Sequence, residues 1–187
     1  MSKTIKVLGI DPSMNNFGYA LATVNVDTSE IAYGGIRLVS PPKVSKKKTV
    51  RQNSVDLELS QYHFKELQKF AKLADIICVE IPVGSQTARA MASYGICVGL
   101  LASLVDKPMI QVTPLEVKLC SVGTKTATKR EMINWAFSQN NSLNWLTRSV
   151  NGDIILIDKN EHMADAMAAI KAGVSTNEFK TLLLSKT

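Results

Sequence analysis

Ile5-Lys6-Val7-Leu8-Gly9-Ile10-Asp11-Pro12-Ser13 is the stretch that decides the fold. Ile5, Val7, Leu8 and Ile10 are apolar residues that strands favour, and Pro12, Ser13, Asn15 and Asn16 are turn formers. The stretch reads as a buried strand ending in a carboxylate, Asp11. An ionised acid at the end of such a strand is costly unless a partner, a metal or water meets it. Taken alone, an Asp-Pro is better read as a turn aspartate that accepts backbone N–H bonds. Residues further along the chain displace that reading.

The chain has 187 residues, enough for one sizeable core, and a single domain over 1–187 is expected. Its hydrophobic content of 45% and charged content of 20% place it among globular rather than disordered proteins. The longest apolar run, near Ile96 to Val105, is too short to cross a bilayer. Met1 to Lys6 runs straight into the strand pattern without an apolar or Arg-rich leader, so a cytoplasmic protein with no membrane partner is expected. Cys78, Cys97 and Cys120 sit in apolar contexts at a spacing that suits neither zinc nor paired disulfides, and they read as buried free thiols. The net charge of +6 points weakly to a polyanionic partner.

Beyond the Asp11 turn, Phe17 to Val24 and Glu30 to Val39 read as two further strands of an antiparallel meander, with Gly34-Gly35 marking a bulge or a close approach. Ser40 to Asn53 carries Pro41-Pro42, Lys43, Lys46, Lys47, Lys48 and Arg51. It reads as an exposed loop, either a solvated charge run or an arm for nucleic-acid phosphates. Ser54 to Leu73 reads as a helix whose stripe is Phe64, Leu67, Ala71 and Ala74, with His63 off the stripe at the surface or its boundary. Ile76 to Glu80 repeats the opening pattern of an apolar run ended by an acid, which predicts a parallel neighbour reached by a crossover.

Gln86 to Leu104 reads as a helix with small residues, Ala88, Ala92, Gly95 and Gly99, along one face. Each glycine costs about 1 kcal/mol against alanine; close packing, within the subunit or across a dimer, would offset it. Met109 to Val112 is a short strand. Thr113-Pro114-Leu115-Glu116 and Thr128-Lys129-Arg130-Glu131 are two capping boxes that each open a helix. Gln139 to Asn151 reads as polar and irregular, and Asp153 to Ile157 as one more short strand. Glu161 to Ala172 reads as a helix with Met163, Ala166, Met167 and Ile170 toward a core, and His162 and Asp165 together on one face.

Asp11, Glu80 and Asp165 thus stand out, two at the ends of apolar strands and one on a helix beside an imidazole. Gathered carboxylates repel unless a cation joins them. Hard oxygen ligands suit Mg²⁺ or Mn²⁺, and two such ions can activate water and stabilise the leaving oxygen of a phosphodiester. His162 would bind metal or position water.

Five fragments together resemble the RuvC family of Holliday-junction resolvases: Gly9-Ile10-Asp11-Pro12-Ser13 with Phe17-Gly18-Tyr19, Val79-Glu80, Thr113 to Lys118, Gly123 to Lys129, and His162-Met163-Ala164-Asp165-Ala166. The resemblance covers most of the chain and fades over Ser40 to Asn53 and Gln139 to Asn160. It implies an α/β, RNase H-like fold: a mixed five-stranded sheet, an antiparallel meander plus parallel strands, flanked by helices. It further implies a homodimer that nicks opposing strands of branched DNA, above all the four-way junction, in recombination and repair. Asp11, Glu80, His162 and Asp165 would be the catalytic and metal-binding residues. The cofactor would be Mg²⁺, with Mn²⁺ able to substitute, at two ions per site. The small-faced helix after Glu80 would make the dimer contact. Lys118 and Lys129 fall on basic positions the family uses near the scissile phosphate. Lys125, Arg130, Arg89, Lys46, Lys47 and Lys48 join them on charge and expected exposure. Some family members carry Asp where His162 stands. The family often has a bulky aromatic three residues after this glutamate, where this chain has Val83, so no aromatic wedge between bases is implied.

Three alternatives bear on the function. A nuclease cutting flaps and Y-forks as readily as junctions would use the same acids. An actin-like kinase also opens on an apolar strand and an acid, but needs a duplicated domain that 187 residues do not supply. A non-catalytic junction-binding protein of the same fold would not need the full set of Asp, Glu, His and Asp.

Overall fold

The computed structural model describes residues 3–42 and 51–184. The Lys46, Lys47 and Lys48 arm therefore lies outside the described residues. The opening stretch forms β1 (Thr4–Asp11), which pairs antiparallel with β2 (Phe17–Asn25), and β2 pairs antiparallel with β3 (Ile31–Val39). The β2–β3 register shifts at Leu21/Ala22: Leu21 faces Gly35 and Ala22 faces Tyr33, so Gly34 is the extra residue of the bulge.

After α1 (Gln52–Ala71), the chain returns as β4 (Ile76–Glu80), parallel to β1. Helix α2 (Ala88–Ala102) leads to β5 (Met109–Val112), parallel to β4. The resulting sheet is five-stranded with order β3-β2-β1-β4-β5. Central β1 is covered on both faces, which is why its sequence is nearly continuous in apolar residues. Leu8 and Ile10 belong to a core shared with Leu67 of α1 and Leu101 of α2. Ile5 and Val7 belong to the opposite core.

That second core is built by α3 (Pro114–Ser121), α4 (Lys129–Gln139), α5 (Glu161–Val174) and α6 (Asn177–Leu184). Both capping boxes form. Thr113 and Glu116 close α3, and Thr128 and Glu131 close α4, with each Thr backbone N–H donating to the Glu carboxylate at 2.7 Å. Among the described residues no helix is long and apolar enough to cross a membrane.

Three local readings are corrected. Helix α1 begins at Gln52, before Ser54, and Phe64 is 43% exposed. The buried face instead carries Asp56, His63, Leu67 and Ala71. His63, expected at the surface, is fully buried: its Nε2 donates to the Met14 carbonyl at 3.0 Å, and its ring packs 4.4 Å from the centroid of Phe17. His63 and Phe64 both keep helical spacing to Leu67, and polarity pointed to the wrong one. Finally, the segment read as irregular contains β6 (Thr147–Val150), which pairs with β7 (Asp153–Leu156) in a separate hairpin. Its turn is Asn151-Gly152, with φ of 53° and 90°, the pair of left-handed conformations a two-residue hairpin turn requires.

Candidate active site

Asp11 ends β1 and Glu80 ends β4. The parallel register sets Ile10 beside Val79, so the two acids leave adjacent strands at one edge of the sheet. Helix α5 brings the remaining groups. It lies directly on β1 and β2 because the sheet has glycine beneath it. A Cβ on Gly9 would run into the Ala166 carbonyl oxygen, and one on Gly18 into the carbonyl of His162. With Met163, Ala166, Met167 and Ile170 buried as read, the N-terminal part of α5 is seated over Asp11. His162 Nδ1 donates to Asp11 Oδ2 at 2.7 Å, joining residues 151 apart in sequence.

The electrostatics tie the set together. Burial pushes the Glu80 carboxyl up to about 8, with the charge of Asp11 adding to the rise and Lys118 opposing it. Burial also raises Asp165 well above the usual carboxylate range, and Asp11 and Glu80 raise it further. Burial alone would lower His162; the bond to Asp11 and the charges of Asp11, Glu161 and Asp165 outweigh it and leave the imidazole raised. Three repelling carboxylates partly withdrawn from water form a donor set whose chemistry suits a hard divalent cation, and such a cation would remove the repulsion. The fit is in donor type. Among the described residues, no three His, Cys, Asp or Glu side chains are already gathered closely enough to hold an ion, and one Asp11 oxygen is engaged by His162. An ion held here would require these side chains to rotate toward one another.

No protein-family model matches the chain. RuvC of Campylobacter jejuni strain 81-176, a crossover junction endodeoxyribonuclease, is 26% identical over 128 residues, covering 68% of this chain and 76% of the relative. RuvC of Campylobacter curvus is 25% identical over 128 residues, covering 68% and 77%. The structure of Thermus thermophilus RuvC superposes with a TM-score of 0.58 at 17% identity, over 90% of this chain and 92% of that one. T. thermophilus RuvC in complex with Holliday junction substrate superposes with a TM-score of 0.60 at 16% identity, over the same shares. The chain is RuvC-like in sequence and in fold. Its mixed five-stranded sheet with flanking helices is the RNase H-like arrangement implied by the motifs.

The basic residues of this RuvC-like chain divide into groups. Lys118, on α3, acts on Glu80 through its charge. Lys129, at the start of α4, pairs with Glu161 at 2.6 Å, and Glu161 lies 3.8 Å from His162 Nε2. Arg130 donates to the Leu156 carbonyl at 3.2 Å. Lys125 is exposed in the turn before α4. Arg89 differs: the buried carboxylate of Asp56 accepts from both of its terminal nitrogens at 2.6 Å each, so this guanidinium ties α2 to α1. Val83 is 77% exposed after Glu80.

Sequence reading missed the place of Glu161 between Lys129 and His162. It also missed the seats at Gly9 and Gly18, whose signal was a glycine inside an otherwise apolar strand.

Proposed function

We propose that the chain is a metal-dependent, structure-selective endodeoxyribonuclease that resolves four-way DNA junctions by paired nicks from a homodimer. The observation that carries this reading is the convergence of Asp11, Glu80, His162 and Asp165 at one sheet edge, where burial and mutual repulsion raise Glu80 and Asp165. The relatives named crossover junction endodeoxyribonuclease support the substrate class. One domain carries the chemistry, and the substrate puts it with DNA in the cytoplasm.

In this reading Asp11, Glu80, His162 and Asp165 hold two divalent ions, Mg²⁺ with Mn²⁺ able to substitute, which supply water activation and stabilise the leaving oxygen. The rest falls to the side chains. His162 orients the Asp11 carboxylate through its 2.7 Å bond. Lys118 tempers the negative field around Glu80. Lys118 and Lys129, whose charges act on Glu80 and on Glu161 and Asp165, draw in the phosphate backbone together with exposed Lys125 and Arg130, with an affinity that falls steeply with salt. Selectivity for a junction comes from shape, since phosphates carry no sequence.

Helix α2 suits the dimer contact. Ala88, Ala92, Gly95 and Gly99 are exposed beside Met91 (48% exposed) and Val98 (45%), and a Cβ built on either glycine meets nothing within 4 Å. A helix of a second copy can approach closely there.

The test is cleavage of a labelled synthetic four-way junction beside a linear duplex, a flap and a Y-fork, in Mg²⁺, Mn²⁺ and EDTA. Paired symmetric nicks confined to the junction are expected. They should be lost in EDTA and in Asp11→Asn, Glu80→Gln and Asp165→Asn, which keep junction binding. Full activity in those variants sinks the proposal. Equal cutting of all branched substrates makes the protein a debranching nuclease, and binding without cutting makes it a non-catalytic junction protein.

A further inference from the structure

We propose that the β6–β7 hairpin is a DNA-binding arm that enters a groove of the duplex next to the cleaved phosphate. The inference rests on the function proposed above. It concerns a part of the chain, Gln139 to Asn160, where the resemblance to the RuvC family fades.

The hairpin is fixed at its base and free at its tip. At the base, the fully buried Asn160 donates to the carbonyls of Leu146 (2.7 Å) and Ile157 (2.9 Å) and accepts from the Leu146 N–H (2.9 Å). Ile157 N–H donates to Leu146, and Arg130 donates to Leu156. Leu146 and Leu156 pack on the core. Beyond that base, all of Thr147 to Val150 is exposed, as are Asp153 and Ile154, the latter at 78%. A two-stranded hairpin has marginal stability by itself in water. A rigid base under an apolar, exposed tip is a shape that a partner completes.

Its position selects the partner. Arg130, which holds Leu156, is the chain neighbour of Lys129, and Lys129 grips Glu161 beside His162. The hairpin also runs through a single 3-10 turn (Asp158–Asn160) directly into α5. It therefore rises from the basic rim of the acid cluster and continues the surface assigned to phosphates. Four residues per strand reach about 13 Å. A two-stranded ribbon fits the major groove of B-form DNA. The register sets Arg148 opposite Ile155 and Ser149 opposite Ile154, so Arg148 and Ile154 lie on opposite faces. A ribbon entering tip-first, with Asn151-Gly152 leading, offers one face to each groove wall: Arg148 to phosphate, Ile154 to the apolar edges of sugar and base. Asp153 beside the tip partly offsets Arg148, so the contribution to affinity is modest and the larger part is orientation.

The experiment uses the full chain carrying Glu80→Gln, so that bound DNA stays intact, with a fluorescein-labelled four-way junction and a linear duplex of the same arm sequence. Arg148→Ala and Ile154→Ser are added singly and together, with thermal melting to verify folding. Separately, p-benzoylphenylalanine at position 154 maps the neighbour by photo-crosslinking without requiring a loss of affinity. Arg148→Ala is expected to weaken junction binding about 3–10-fold and to lower the slope of log affinity against log salt by about 1. Ile154→Ser is expected to weaken it severalfold at unchanged slope, and the crosslink to fall on a DNA strand near the branch. Unchanged affinity and slope, or a crosslink to protein in the bound complex, overturns the proposal. Should the Glu80→Gln parent itself fail to prefer the junction, the resolvase reading fails and takes the arm with it. A parent that prefers the junction while both variants match it refutes the arm alone.

Discussion

Along α5, Ala164, Ala166, Ala168 and Ala169 are fully buried, and the helix backbone rests where Gly9 and Gly18 of the sheet have no side chain. Along α2, Ala88, Ala92, Gly95 and Gly99 are exposed, with open space over both glycines. Both helices use small residues where bulk would be in the way. In α5 the space is filled by the same chain, and the filling creates the acid site. In α2 it is left open, and in the proposed dimer a second copy fills it. Small residues at helical spacing thus mark close approach without saying whose backbone approaches.

The largest effect is expected at the filled seat. Gly18→Val drives a side chain into the His162 backbone, and a loss of about 3 kcal/mol or more is expected from overpacking, read by urea unfolding. A near-parental midpoint would break the contrast between the two helices. Next comes the cation. At a concentration of 100 times its dissociation constant, Mg²⁺ should stabilise the protein by about 2.7 kcal/mol, seen as a rise in melting temperature. Glu80→Gln should show much less of that rise, and an equal rise in both would remove Glu80 from the ion site.

A smaller effect belongs to the layer that α1 and α2 share. Burial holds His63 below its ordinary value of 6.5, against the opposing pull of its bond to Met14. The unfolded chain then binds that proton more readily. The stability from neutral His63 is present above about pH 6.5 and is lost as the pH falls through the lower, folded value. Raised Glu80, Asp165 and His162 act in the opposite direction over this range, so the His63 contribution is read as a difference. Between pH 7.5 and 5 the denaturant midpoint of His63→Gln should gain on that of the parent as the pH falls, and a constant gap between the two would remove His63 from the account. The smallest effect, of opposite sign to the first, is at the open seat. Gly95→Ala should raise the stability of the monomer by up to about 1 kcal/mol through helix propensity, while sedimentation shows a weaker dimer. A stable, unweakened dimer would move the contact away from α2.

How legible all this was in the sequence depends on how local each signal is. The paired strands ending in Asp11 and Glu80 were readable because an apolar run closed by an acid is a contiguous pattern. The two capping boxes were readable because four residues contain the whole device. His162 and Asp165 shared a face by helical spacing alone. The hairpin was not read, because Thr147 to Val150 is exposed on both faces and shows no alternation; Asn151-Gly152 was the signal available. His63 was misplaced because its partners, Met14 and Phe17, come from another part of the chain. The same holds for Arg89, whose charge suggested phosphate and whose contact is buried Asp56.

The bond between Asp11 and His162 also joins the first strand to a helix made near the end of synthesis. During synthesis β1 leaves the ribosome early, and its acid waits for more than a hundred further residues before α5 arrives. Until then Gly9 and Gly18 lack the helix that covers them, and the apolar face they belong to is open. Placing α5 on the sheet covers that face and brings His162 to Asp11. The acid cluster is therefore complete only once the surface that would otherwise aggregate is hidden.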